Sequence, residues 1–512
     1  AISYHAPRVY QWVQNKSVLY YASHIIRQNI STVLSSYIST VMHILTGQAT
    51  GALCLLQYAA NIVCLIIINY LCGYYGVGRR FRLFASVLWM TLPIGFAEAI
   101  TPQNDIVAAM WLLMFVVVII DAVSDTGTNY KTIYSYVILL AILIALAYLT
   151  KPAVCFAMVI FLVWYLIACL RKKYGFINIF SQCILAVGII LILICPQLFQ
   201  NYVMSSQITA ADVGPNQLVA TLLPEYLFIN CIKNLIYNFA FQIGPWSNIG
   251  YISSLLYGMS GALGIDLNAE VISEGAFTFK YATLPNYSCD SALELTLAVI
   301  AGISLVLYIF YRKGFMGGKK VFIRCSYVSF VFFCTFLRWQ ISITRYMIGY
   351  FALLIVAVAI ILSIWSNKTK SKRAVAAFLG AAAMLIFLDI VLELRHLYRL
   401  HPVLPVKSSM TMYNDNLEQY WDICNYINDK DISELGLIDT ECDNEYPIWL
   451  MLNKGISIRH VNLSDNNHSK KYELWDIVPE AVISTRDMGE TLWCHGREYS
   501  RTMHNECWLV YE

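Results

Sequence analysis

Charge is what this sequence has least of. Only 13% of its 512 residues are Asp, Glu, Lys or Arg, against roughly 25% in soluble domains. With 58% hydrophobic residues, that scarcity excludes an ordinary soluble domain and leaves a polytopic membrane protein. The formal net charge of +3 is too small to mark a nucleic-acid partner. No G-x-G-x-x-G or P-loop is present, so no nucleotide site is indicated. No signal peptide or lipidation motif is visible. None of the 15 cysteines forms the paired C-x-x-C of a zinc site. Most of them, such as Cys54, Cys64, Cys72 and Cys155, lie inside apolar runs, where Cys behaves as a small hydrophobe. Cys424, Cys442, Cys494 and Cys507 share the polar C-terminal region and are available to pair if it is extracytoplasmic.

What the chain has in quantity is apolar runs of about the 20 residues that cross a bilayer. They are Gly51–Tyr74, Leu83–Ile100, Ile106–Val123, Ile133–Leu149, Val154–Leu170, Ile177–Pro196, Ala292–Tyr311, Val321–Leu337, Met347–Trp365 and Ala374–Leu394. The expected fold is mainly α, a transmembrane helical bundle of about ten spans. Arg79–Arg82, Arg171–Lys173, Arg312 and Lys313 with Lys319 and Lys320, and Lys368–Arg373 mark cytoplasmic loops. Walking the spans in order puts all four clusters on one side. The remaining loops then face outward, as does everything after Arg395.

Five regions follow. Residues 1–50 form a first outer loop with interfacial helical pieces. Residues 51–196 and 292–394 are membrane helices. Residues 197–291 are too long for a connector and read as a structured outer loop. Residues 395–512 read as a small soluble α/β domain. Its expected elements are a helix over Met412–Asn428, strands at Glu434–Asp439 and Ile456–Leu463, and a helix over Tyr446–Asn453. Further strands are expected at Ala481–Thr485 and Cys507–Tyr511.

Polar residues gather at the outer face. Thr101-Pro102-Gln103-Asn104-Asp105 joins two spans. A carboxylate there is a functional candidate; the alternative is that Asp105 caps the next helix. Lys151 follows in Thr150-Lys151-Pro152, and is either a site residue or a snorkelling cation. Arg338 and Arg345 occupy the last outer turn, Arg345 against the positive-inside bias. Tyr4, His5 and Arg8 lie in the opening segment. Glu98 and Asp121 read as span-boundary residues. A site for a lipid phosphate needs such a set: cations for the phosphate, Arg in bidentate fashion, and a carboxylate as general base.

Together these residues resemble a known family. Tyr4-His5-Ala6-Pro7-Arg8 and Trp12-Val13-Gln14-Asn15 are similar to the first extracytoplasmic loop of bacterial GT-C membrane glycosyltransferases. These are related to family 39, the protein O-mannosyltransferases and aminoarabinose transferases. Asp105 after Gln103-Asn104, Arg338-Trp339-Gln340 with Arg345-Tyr346, and Glu445-Tyr446-Pro447 with Trp449 resemble its later motifs. The resemblance implies a polyprenyl-phosphate sugar donor and inverting transfer at the extracytoplasmic face to a glycan, lipid or protein acceptor, with an Asp general base. It implies phosphate-binding roles for Arg345, Lys151 and Arg338. It makes Asp105 a catalytic-site carboxylate that positions the acceptor or a basic partner such as Arg8, supported by Tyr4, His5 and Asn104. The family's first-loop Asp would fall one residue before Ala1, and its first span earlier still, so the chain as read is expected to be a truncated, impaired copy. No Asp-x-Asp occurs in the outer loops, so no obligatory metal or other cofactor is expected. The alternatives are a transporter or flippase of lipid-linked saccharides and an inactive scaffold. Apolar span centres with polar groups at one face favour surface chemistry over transport.

Overall fold

The structure, a computed structural model, describes residues 3–49, 51–125, 130–172, 174–206, 208, 217–243, 246–279, 294–311, 314–369, 371–400, 417–441 and 443–512. Arg312, Lys313, Cys442 and the first residues of the expected helix from Met412 lie outside them. Where described, each apolar run named above falls on one helix, or on two in the case of Leu83–Ile100. Among the described residues, seven helices are long and apolar enough to cross a membrane, or eight with one bent pair. That is fewer than the ten runs, for local reasons. Leu295–Phe310 has only 16 residues. Gly317–Phe336 opens with Lys319, Lys320 and Arg324. The run Leu83–Ile100 is broken into Arg79–Met90 and Pro93–Ala99, bent by 61°. Pro93 causes the break: it has no N–H to donate, and it holds Leu92 in extended backbone at ψ 113°.

The basic loops share one end of the bundle. Arg80 donates to Ser366 Oγ at 2.9 Å, and Lys172 donates to the Ala122 and Asp125 carbonyls. The helix Ile348–Lys368 runs through the middle and is buried along almost its whole length. At Gly349 it comes so close to its neighbour that a Cβ would stand 3.1 Å from Leu112 Cδ2 and 3.5 Å from Ala109 Cα. Small residues are what let membrane helices approach this way.

The helix Asp105–Ser124 starts inside the bundle, where water cannot satisfy its first N–H groups. Gln57, from the helix Ala52–Tyr74, reaches across and accepts from Ile106 N at 3.0 Å and Val107 N at 3.1 Å. No side chain of the Asn104–Asp105 turn does that work. The capping alternative for Asp105 is thus taken up by another residue. Gln57→Leu keeps the apolar bulk and removes the acceptor. It should cost about 1–3 kcal/mol for each orphaned donor, read as a lowered unfolding midpoint in detergent; an unchanged midpoint would refute the cap.

Beyond the other end of the bundle lie three packed parts. The opening segment forms the helices His5–Gln14, Arg27–Ile30 and Leu34–Leu45. The expected outer loop supplies the helices Pro224–Tyr237 and Ile249–Ala262 and a two-stranded ribbon, β1 (Gln242–Ile243) with β2 (Trp246–Ser247). The C-terminal region is a six-stranded mixed sheet made of β3 (Glu434–Ile438), β4 (Ser457–His460), β5 (Ala481–Ser484), β6 (Thr491–Cys494), β7 (Arg497–His504) and β8 (Leu509–Tyr511). The order is β4-β3-β5-β8-β7-β6. β3 pairs in parallel with β4 and β5, and the rest is antiparallel. Alternation splits the core: Leu435, Leu437 and Ile483 pack under the helices Leu417–Asn428 and Tyr446–Met451, while Ile438 and Val482 face the other way. Cys424 lies in the first of these cores and Cys494 in the second, so those two do not meet. The hairpin β6–β7 was not expected. Its signal is short: His495 and Gly496 both take positive φ, 46° and 79°, which is what a two-residue hairpin turn requires. The edge strand β4 is covered, because the Gln14 side chain accepts from Ile458 N at 2.8 Å and donates to Ile458 O at 2.9 Å.

Candidate active site

Three turns at this end of the bundle converge. Asp105 stands in the first turn of its helix with its side chain wholly buried. Lys151 sits where Pro152 ends one helix and opens a short 3₁₀ turn, so its backbone is extended, at φ −161° and ψ 103°. That kink lets the ammonium reach Asp105 Oδ1 directly. Arg345 belongs to the short helix Ile343–Tyr346 ahead of the central helix. Its Nε is 3.7 Å from Asp105 Oδ2 and 3.9 Å from Glu98 Oε1. The Tyr346 ring lies under both cations, 3.6 Å from Lys151 Nζ and 5.9 Å from Arg345 Cζ, within the range of cation–π attraction. Gln217 donates to the Tyr346 hydroxyl at 2.8 Å.

The turns are tied together below the charges. Asn104 Nδ2 and Thr32 Oγ1 both donate to the Thr150 carbonyl at 2.6 Å, and Trp111 Nε1 donates to Thr150 Oγ1 at 3.1 Å. Asn104 therefore fixes the turn that carries Lys151. Burial lowers the Lys151 pKa, with Asp105 pulling the other way. Tyr4 lies beside the cluster; burial raises its pKa, and Arg345 opposes that rise. His5, 3.5 Å from Ser36 Oγ, is pushed well below the usual imidazole range, by burial first and then by Arg8, and is a neutral ring at pH 7.

Two expected members of the set lie elsewhere. Arg8 does not meet Asp105. It is fully buried within the opening segment and donates to the carbonyls of Arg27, Gln28, Ser31 and Thr32 and to Ser36 Oγ. Arg338 donates to the Glu270 carbonyl at 2.7 Å, and its own amide donates to Gln217 O. Those contacts anchor the last turn to the long loop. Glu98 was missed as a boundary residue; it is fully buried in the helix Pro93–Ala99 and shares Arg345 with Asp105. The bend at Pro93 is what turns that helix end inward, and the run Phe96-Ala97-Glu98-Ala99, a carboxylate with only apolar neighbours, was the available signal.

The site thus pairs two buried cations with two buried carboxylates over an aromatic ring.

No protein-family model matches this sequence, and no curated protein matches it. Solved structures similar to it over its whole length include ArnT from Cupriavidus metallidurans bound to undecaprenyl phosphate, at 10% identity and a TM-score of 0.47, covering 100% of this chain and 93% of that one. The same protein in the apo state is similar at 10% identity and a TM-score of 0.45, covering 100% and 92%.

Proposed function

We propose that this chain is a membrane glycosyltransferase of GT-C type. It takes a sugar from a polyprenyl-phosphate donor and passes it to an acceptor at the extracytoplasmic face. The observation that carries this reading is the buried Asp105–Lys151–Arg345 cluster at the end of the bundle away from the basic loops. By the positive-inside rule that end is extracytoplasmic. The opening Tyr-His-x-Pro-Arg motif supports it independently.

The chemistry follows from the charges. The acceptor oxygen attacks the anomeric carbon from the face opposite the phosphate. The new C–O bond forms as the bond to the phosphate oxygen breaks, so the centre inverts. The acceptor proton goes to a carboxylate, and the lipid phosphate leaves with one more negative charge. Lys151 and Arg345 offset that charge, and electrostatic stabilisation of this kind is usually the largest single catalytic contribution. Asp105 is held by both cations, which suits it to orienting them. No metal is required by this scheme.

The test is sugar transfer in right-side-out vesicles carrying the protein and a labelled polyprenyl-phosphate sugar. The expected result is glycosylated acceptor on the outer side. Movement of the intact lipid-linked sugar between leaflets with no glycosylated product would establish the flippase instead.

A further inference from the structure

A second group of buried ionisable side chains lies outside the Asp105 cluster. Asp439 follows the end of β3, His460 ends β4, and Glu445 precedes the helix Tyr446–Met451. These are the carboxyl ends of two neighbouring parallel strands, where α/β sheets bind ligands. All three side chains are fully buried. His460 Nδ1 is 3.4 Å from Asp439 Oδ1, and Nε2 is 3.4 Å from Glu445 Oε2. One ligand atom from each residue falls within 4.8 Å of the others.

Hydrogen bonding accounts for this group only in part: the two His460 nitrogens stand 3.4 Å from one carboxylate each. Both Asp439 oxygens and His460 Nε2 are buried without a hydrogen-bond partner. Glu445 is satisfied, by Trp449 Nε1 at 2.7 Å and by Gln28 Nε2. The His24 amide N–H points at His460 Nδ1 from 3.4 Å. An Nδ1 that accepts from His24 directs its lone pair at that N–H, which leaves Nε2, on the Glu445 side, as the nitrogen free to bind an ion. Charge balance points the same way. Neither carboxylate is paired with a lysine or arginine among the described residues. A divalent cation with a neutral imidazole balances both.

We propose that Asp439, Glu445 and His460 bind a divalent transition-metal ion, of which zinc fits one nitrogen and two oxygens best. A cavity of about 370 Å³, lined by Gln11, Tyr21, Arg459 and Glu473, borders the His460 side of this group. The role is a clamp. Gln28 and His24 belong to the opening segment, and both touch the ligand residues, so the ion fastens the C-terminal domain to the segment that carries Tyr4 and His5.

The experiment uses the whole protein without an affinity tag, purified in detergent, stripped with a chelator and dialysed against zinc or cobalt. The expected result is one equivalent of metal, visible absorption bands from tetrahedral cobalt, and a higher unfolding temperature than the stripped protein. Asp439→Asn, Glu445→Gln and His460→Gln should each weaken uptake more than about tenfold. Cobalt uptake by the unsubstituted protein needs no variant to fold, so it decides alone. No uptake, or uptake without the bands, overturns the proposal, as does equal uptake by all three variants.

Discussion

Arg345→Ala should lower sugar transfer by about 10²–10³, the loss expected when one preorganised charge is taken from a developing anion. The geometry says why. Arg345 is held at 3.7 Å from Asp105 and 3.9 Å from Glu98, over the Tyr346 ring, before any substrate arrives. Its position is set by these buried neighbours, so on the proposed reading its charge needs no rearrangement to meet the leaving phosphate. Deleting it also leaves Asp105 and Glu98 with Lys151 as their one remaining cation in that cluster, and breaking a buried ionic network costs roughly 3–5 kcal/mol of stability. Two readouts separate these effects. Arg345→Lys keeps a charge near both carboxylates and loses the planar fork. It should keep most of the stability and lose most of kcat. If Arg345→Lys and Arg345→Ala both transfer sugar at the rate of the unsubstituted protein, the cluster is not the phosphate site. If kcat falls only in step with unfolding, Arg345 is a structural ion and the assignment fails as well.

Much of this was legible from residue types alone. The apolar runs located the seven or eight described helices long and apolar enough to cross a membrane, and two more besides, because the signal is local and the bilayer punishes exceptions. Asp105, Lys151 and Arg345 stood out for the same reason: each is a charge at the edge of an apolar run. What was not legible was which charges meet. Arg8 and Arg345 look alike in sequence, and both belong to motifs of the same resemblance. Only packing shows that Arg8 turns into its own segment while Arg345 turns toward Asp105. Gln57 gave no signal, since an amide inside a span is read as a tolerated polar residue until a helix start is found opposite it. Glu98 was hidden by a break at Pro93 that made one expected span into two helices. In the C-terminal domain the parallel strands were visible as short apolar runs. The hairpin Thr491–His504 was not, because it lies at the sheet edge with one face exposed and carries Arg and Glu there.

The opening segment carries the second large effect. Arg8 is completely buried and, among the described residues, has no carboxylate against it; burial lowers its pKa, and its charge is met by carbonyl oxygens. Four of those belong to Arg27, Gln28, Ser31 and Thr32, around the end of the short helix Arg27–Ile30. Carbonyls left over at a helix end carry partial negative charge and need donors. One planar guanidinium supplies five N–H groups in fixed directions, which a lysine cannot reproduce. The bend from residue 27 to residue 36 is therefore organised around a single side chain, and Ser36 Oγ completes the set at 3.3 Å. Arg8→Ala should destabilise this segment by roughly 3–5 kcal/mol, on the scale of other uncompensated buried polar networks. Hydrogen exchange should show it directly, as lost protection of residues 27–36 while the central helix Ile348–Lys368 stays protected. Arg8→Lys should fall between, with three donors against five. Sugar transfer should drop in the same order, since Thr32 holds the Thr150 turn and with it Lys151. Unchanged exchange in Arg8→Ala would mean that the carbonyls find water or other donors. Lost transfer with unchanged exchange would instead put Arg8 in the chemistry, where the resemblance first placed it beside Asp105.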